Sequence, residues 1–170
     1  MPQGREIIEG PHTPDERERR SMRPASPRRG GDGGGENITQ VFALVVGVAY
    51  LLIGIAGFAV TGFTGLTTDG QDELVGFDLN VFHNVVHLAI GAGFIAVSRL
   101  SDAGIAQGVV IGGGLVYVLA AALGFLNELQ ILSIDSELAA DNFLHLFSGI
   151  AAVAFGVLGI RQSDAAAARA

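Results

Sequence analysis

Cysteine is absent from the chain, which excludes disulfides and thiolate chemistry. Lysine is absent as well, and all ten basic residues are arginine. Charge of either sign is scarce: Asp, Glu and Arg make up 16% of the 170 residues, where a soluble domain carries about a quarter. Four stretches hold no charge at all: Asn37–Thr68, Leu79–Ser98, Ala103–Asn127 and Asn142–Ile160, of 32, 20, 25 and 19 residues. A helix needs ~20 mainly apolar residues to cross ~30 Å of hydrocarbon, so these runs read as four membrane spans. A polar stripe at helical period, the mark of a soluble helix, is also missing. In VFALVVGVAYLLIGIAGFAV the only polar side chain is Tyr50, and in GVVIGGGLVYVLAAALGFL it is Tyr117.

The arginines are sorted along the chain. Seven lie in the tail before the first run (Arg5, Arg17, Arg19, Arg20, Arg23, Arg28, Arg29), Arg99 lies between the second and third, and Arg161 and Arg169 follow the fourth. The segments after runs one and three carry only acids: Asp69, Asp72, Glu73 and Asp78, then Glu128, Asp135, Glu137 and Asp141. Four crossings therefore put every basic residue on one side. Basic residues near span ends are retained in the cytoplasm, so both termini are expected to be cytoplasmic and both acidic loops external.

Residues 1–37 are rich in Pro, Gly and Arg, and nearly without apolar side chains. Such a segment cannot bury enough surface to offset its ordering entropy and is expected to be a disordered cytoplasmic tail, with GGDGGG as a flexible lead into the first span. His12 falls in it and carries no expected role. The four-span domain is expected over 38–161, with spans near 39–62, 80–98, 105–126 and 141–160, followed by a short cytoplasmic tail over 162–170.

The domain is internally repeated. Asn84, His87, Leu88 and Gly91 are spelled again by Asn142, His145, Leu146 and Gly149, an offset of 58 residues. Gly47, Tyr50, Gly57 and Phe58 return as Gly114, Tyr117, Gly124 and Phe125, an offset of 67. The first external loop accounts for the nine-residue difference. The fold class is thus an all-α, integral membrane four-helix bundle of two tandem pseudo-symmetric hairpins, pointing the same way about an axis along the membrane normal. Gly104, Gly108 and Gly112 form a small-residue ridge in the third span, and Gly91 and Gly149 open space in the second and fourth. Such residues let helix backbones approach in lipid, within the bundle or between two copies.

Polar groups cluster at the heads of spans two and four. Asn84, His87 and Gly91 share one helix face, His83 joins His87 at i+4, and Asp141 occupies the position in span four that matches His83. Three readings compete. In the first, Asn84 and Asn142 cap or bond neighbouring backbone and the imidazoles bond across the bundle to Tyr50 or Tyr117, a polar network that fixes helix register. In the second, His83, His87, Asp141 and His145 hold a metal, i, i+4 histidine being a zinc spacing, or His87 and His145 are paired axial ligands of a haem. In the third, the histidines move protons or a small solute, although Ser98, Gln107 and Ser148 are the only further polar steps inward. A hydrolase is not expected: G-x-S-x-G is missing, and Ser136, ahead of Asp141 and His145, has no other mark of a nucleophile.

The segments LNVFHNVVHLAIG and DNFLHL resemble a bacterial family of small four-span membrane proteins known only as a domain of unknown function, over roughly residues 38–160. The resemblance implies a cell-membrane location and four helices, and it supplies no catalytic residues. The expected function is a non-enzymatic scaffold or partner subunit with its polar cluster under the outer face. Metal- or haem-binding redox activity is the alternative and transport the third. The expected partners are the lipid bilayer and, through Gly-rich faces, another membrane protein or a second copy; no nucleic acid and no obligatory cofactor are expected.

Overall fold

The computed structural model describes residues 37–67 and 72–169. The expected disordered tail, its GGDGGG lead and His12 lie outside those residues. Four helices make up the described chain: α1 (Ile38–Thr61), α2 (Val81–Leu100), α3 (Ala103–Phe125) and α4 (Ala140–Ala167). Each is long and apolar enough to cross a bilayer, since even the 20 residues of α2 rise ~30 Å at 1.5 Å per residue. The protein is a multi-pass membrane protein. The last helix, α4, runs on through Arg161 to Ala167; the alanine-rich end has high helix propensity and needs no apolar surroundings to stay helical.

Polar caps fix three of the helix starts. Asn37 Oδ1 accepts from the Thr39 N–H at 3.0 Å, Asn80 Oδ1 from His83 at 2.8 Å, and Asp102 Oδ1 from Ile105 at 2.9 Å, each meeting a backbone donor left over by the first turn. At α4 the side-chain cap is missing. Instead, Asn142 Nδ2 donates to the carbonyls of Ser136 and Glu137 at 3.0 and 3.1 Å, which ties the preceding loop to the helix.

The helices pack as two hairpins, α1 with α2 and α3 with α4, and contacts between hairpins are sparser. Within each, the backbones meet at a glycine pair. A Cβ on Gly91 would lie 2.6 Å from the Leu51 nitrogen and 2.8 Å from the Gly47 oxygen; one on Gly149 would lie 2.7 Å from the Gly114 oxygen and 2.9 Å from the Val118 nitrogen. Gly47, Leu51, Gly91 and Ile95 in one hairpin stand where Gly114, Val118, Gly149 and Val153 stand in the other, at the two offsets of the sequence repeat. Lipid offers no hydrophobic drive between helices, so this close van der Waals fit does the holding.

The ridge of Gly104, Gly108 and Gly112 does not take part. Nothing lies within 4 Å of a Cβ at Gly108 or Gly112, and Gly104 meets only Asp102 Oδ1 at 3.4 Å. Of the two places expected for its contact, within the bundle or between copies, the first is not used: α3 turns this face outward and packs through Gly114 and Gly124.

At the end where α1 begins and α4 finishes, side chains clasp α1 and α3 to α4. Asn37 Nδ2 donates to Gly159 O at 3.1 Å and to Ser163 Oγ at 3.2 Å, Thr39 Oγ1 to Phe155 O at 3.0 Å, and Gln107 Nε2 to Ser163 Oγ at 3.0 Å. Beyond the clasp comes an apolar layer of Ala43, Phe94, Val110 and Ala152 with Phe42, Val46 and Ile90 against it. The arginines of the described residues all lie at the clasp end, and the histidines at the opposite, loop end.

The loop between α1 and α2 adds two short strands to the all-helical plan: β1 (Asp72–Leu74) and β2 (Phe77–Leu79), paired antiparallel with Leu74 opposite Phe77. Val75 (φ 55°) and Gly76 (φ 87°) make the turn with the two positive φ values that a two-residue hairpin favours. The loop between α3 and α4 holds a 3₁₀ turn, Gln130–Leu132. Asn80 Nδ2 donates to Ile131 O at 3.0 Å, which joins the two loops over the bundle end.

Candidate metal centre

The first turn of α2 begins at Asn80, and its cap sets the position of His83, whose own N–H it receives. From there the 3.6-residue period carries His83, Asn84 and His87 onto the buried face of α2, and Asp141, Asn142 and His145 onto that of α4. The expected inward face is therefore present on both helices. One ligand atom from each of His83, Asp141 and His145 comes within 4.8 Å of the others, and the three residues are only 1%, 5% and 5% exposed. The cluster bridges the hairpins, with one residue from α2 and two, at i and i+4, from α4.

His87, grouped with these by spacing, stays outside the cluster. Its ring lies 4.4 Å from that of His83 and edge-on to Tyr50 at 5.1 Å. His145 meets Tyr117 in the same way at 5.2 Å, and the two tyrosines meet at 5.6 Å. Tyr50 and Tyr117, the expected partners, are thus the neighbours of the histidines, through ring edges. Asn84 Nδ2 donates to Thr61 Oγ1 at 2.9 Å, a partner on α1 that nothing in the spelling singled out. Ser98 and Ser148 bond carbonyls of their own helices at 2.8 and 2.6 Å, and Ser148 also meets the Tyr50 hydroxyl, which in turn bonds Tyr117.

Six buried side-chain atoms in this region lack a hydrogen bond: both ring nitrogens of His83, Nδ1 of His87 and of His145, and Oδ1 of Asn84 and of Asn142. Leaving such a group unpaired costs about 1–3 kcal/mol, so each asks for an explanation. The asparagine oxygens have one. A Cβ on Gly57 would fall 1.9 Å from Asn84 Oδ1 and one on Gly124 1.8 Å from Asn142 Oδ1, so each oxygen faces a glycine Cα–H, a weak donor. For the imidazoles the protein supplies only the backbone of Leu132 and Asp78 against the His83 ring, short of regular hydrogen-bond geometry. Two imidazoles and a carboxylate are a donor set for zinc or another divalent first-row ion.

Beside the cluster lies a cavity of about 160 Å³. Its apolar wall comes from Ile53, Leu74, Val75, Phe77 and Leu144, and Tyr50, His87 and Asp141 give it a polar side. Asp141 therefore belongs both to the cluster and to the cavity wall. Deeper in the bundle, Tyr50, Tyr117 and Ser148 border a second space of about 10 Å³, about the volume of a single water probe.

The family model that matches is described as a domain of unknown function, DUF4383, and it covers residues 40–158. No curated protein and no solved structure matches the chain.

Proposed function

The chain belongs to the DUF4383 family, a domain of unknown function, and from that premise we propose that it is a non-enzymatic membrane protein that holds one divalent transition-metal ion between its two hairpins. The observation that carries the reading is the convergence of His83, Asp141 and His145, buried and within 4.8 Å of one another, with Nδ1 of His145 without a hydrogen bond and the His83 ring met only by the backbone of Leu132 and Asp78. Buried donors of this kind are stabilised by a cation that replaces the water they have lost. Three protein ligands leave a further coordination position for water or a ligand. The hairpins touch each other less than the helices within each do, so an ion shared by α2 and α4 would act as a staple. The ordering of arginines by helix end supports a site under the outer face, with both termini cytoplasmic.

Haem is less well supported. The tyrosine pair fills the space between His87 and His145, and a porphyrin would have to displace it. Transport has little support either, because the layer of Ala43, Phe94, Val110 and Ala152 separates the cluster from the clasp.

The test is a zinc, copper and iron analysis of the full-length protein in nanodiscs, followed by zinc titration after chelation. The expected result is one ion per chain, with affinity reduced at least tenfold in His83→Ala and in His145→Ala. A folded, metal-free wild type that takes up no ion would leave the scaffold reading in possession.

A further inference from the structure

We infer that the cavity beside Asp141 is a binding site for a neutral, lipid-soluble molecule with a monocyclic phenol head, its ring between the β-hairpin and helices α1 and α4 and its hydroxyl donated to the Asp141 carboxylate. This goes beyond the metal reading and shares only Asp141 with it.

Size sets the first limit. The space is about 160 Å³, and an apolar cavity of about 150 Å³ accommodates benzene. It is large enough for a single ring and too small for a fused cofactor. The wall chemistry sets the second. Phe77, Tyr50 and His87 present rings, and Ile53, Leu144 and Leu74 present aliphatic side chains. Aromatic neighbours favour a ring in edge or offset contact over an alkyl chain of equal volume.

The third limit is the polar end. Asp141 is 5% exposed, and among the described residues its carboxylate receives no hydrogen bond from another residue; its own backbone is the only donor against it. A buried acceptor of that strength calls for a donor. Both a hydroxyl and an ammonium would serve, and the mouth decides between them. Its lip is apolar, with Val75 88% exposed at the hairpin turn and Ile53 and Leu144 also exposed. Ile53 and Leu144 belong to the spans α1 and α4, so this side of the mouth faces the lipid, where a neutral phenol dissolves and an ammonium ion does not. The β-hairpin that roofs the space is part of the loop that is longer than its counterpart in the second repeat.

The experiment uses chelated full-length protein in nanodiscs, titrated calorimetrically with 4-propylphenol, propylbenzene and propylamine, with empty discs subtracted. Saturable binding at one site is expected, at least tenfold tighter for 4-propylphenol than for either of the others. Ile53→Trp, which fills the cavity from α1, should weaken 4-propylphenol at least tenfold and leave zinc affinity within threefold. Equal affinity for propylbenzene, tighter binding of propylamine, or no saturation would each overturn the inference. The comparison among the three probes needs only wild-type protein, so it stands even where Ile53→Trp does not fold. Retained phenol binding with no zinc uptake sinks the metal reading alone, and the converse result sinks this one alone.

Discussion

Alanine at Gly91 probes the contact on which the hairpins depend. The new Cβ would lie 2.6 Å from the Leu51 nitrogen and 2.8 Å from the Gly47 oxygen. Both are backbone atoms, so no rotamer change relieves the clash. Ordinary contact begins at 3.4 Å, and α1 and α2 must part by about 0.8 Å, enough to forfeit much of the dispersion energy along their seam. Overpacking of this kind costs about 1–3 kcal/mol, and a contact that cannot rotate away belongs in the upper part of that range. Replacing glycine by alanine in a helix returns about 1 kcal/mol. The net loss is about 1–2 kcal/mol for Gly91→Ala and a similar amount for Gly149→Ala, its counterpart 2.7 Å from the Gly114 oxygen. The sites lie in different hairpins, so the double variant should lose about 2–4 kcal/mol, close to additive. The control is Gly112→Ala, where nothing lies within 4 Å and stability should be unchanged or raised by up to about 1 kcal/mol. Equilibrium unfolding in SDS–detergent micelles, followed by circular dichroism, measures all four. If Gly91→Ala and Gly112→Ala unfold at the same SDS fraction, the glycine seam does not hold the hairpins and the packing argument fails.

Other outcomes follow from the same geometry. His87→Ala should keep zinc affinity within about threefold, because its ring lies against Tyr50 outside the cluster, while losing about 1 kcal/mol of ring packing; zinc loss in His87→Ala with retention in His83→Ala would reverse the assignment. Saturating zinc at about 100 times its Kd should stabilise the wild type by about 2.7 kcal/mol, seen as a rise in melting temperature that EDTA abolishes and that His145→Ala does not show. Asp102→Ala removes the side-chain cap of α3 and should cost about 1 kcal/mol, whereas Asp102→Asn should cost little. Because the chain has no cysteine, single replacements report sidedness cleanly: a membrane-impermeant maleimide should label Glu128→Cys from outside intact cells and Ala165→Cys only after permeabilisation. Labelling in the opposite order would invert the proposed topology.

Much of the fold was legible because lipid imposes simple rules on a sequence. Charge-free runs of span length mark the helices wherever the solvent is hydrocarbon, and the two offsets between GxxY and NxxH segments foretold which helices would pair. Gly91 and Gly149 were readable as close-approach sites because they recur in the repeated NxxHLxxG spelling; Gly104, Gly108 and Gly112, four residues apart along α3, face outward. Small-residue spacing reports that a helix face is smooth, and only the neighbours decide whether anything lies on it. The histidines divide in the same way. Periodicity put His83, His87, Asp141 and His145 on inward faces, yet it could not say that His83 would join the residues of α4 while His87, one turn further in, would meet Tyr50.

The clasp of Asn37, Thr39 and Ser163 and the cavity under the β-hairpin were illegible for a related reason. Their partners lie on elements distant in the chain: 122 residues separate Asn37 from Gly159, and such encounters depend on helix rotation and loop path. The sequence by itself determined the solvent, the number of crossings, the pairing of helices and the residues to be buried, because each follows from local composition and period. Only the tertiary structure decided which buried groups meet, since a fraction of a turn about a helix axis exchanges one imidazole for the next.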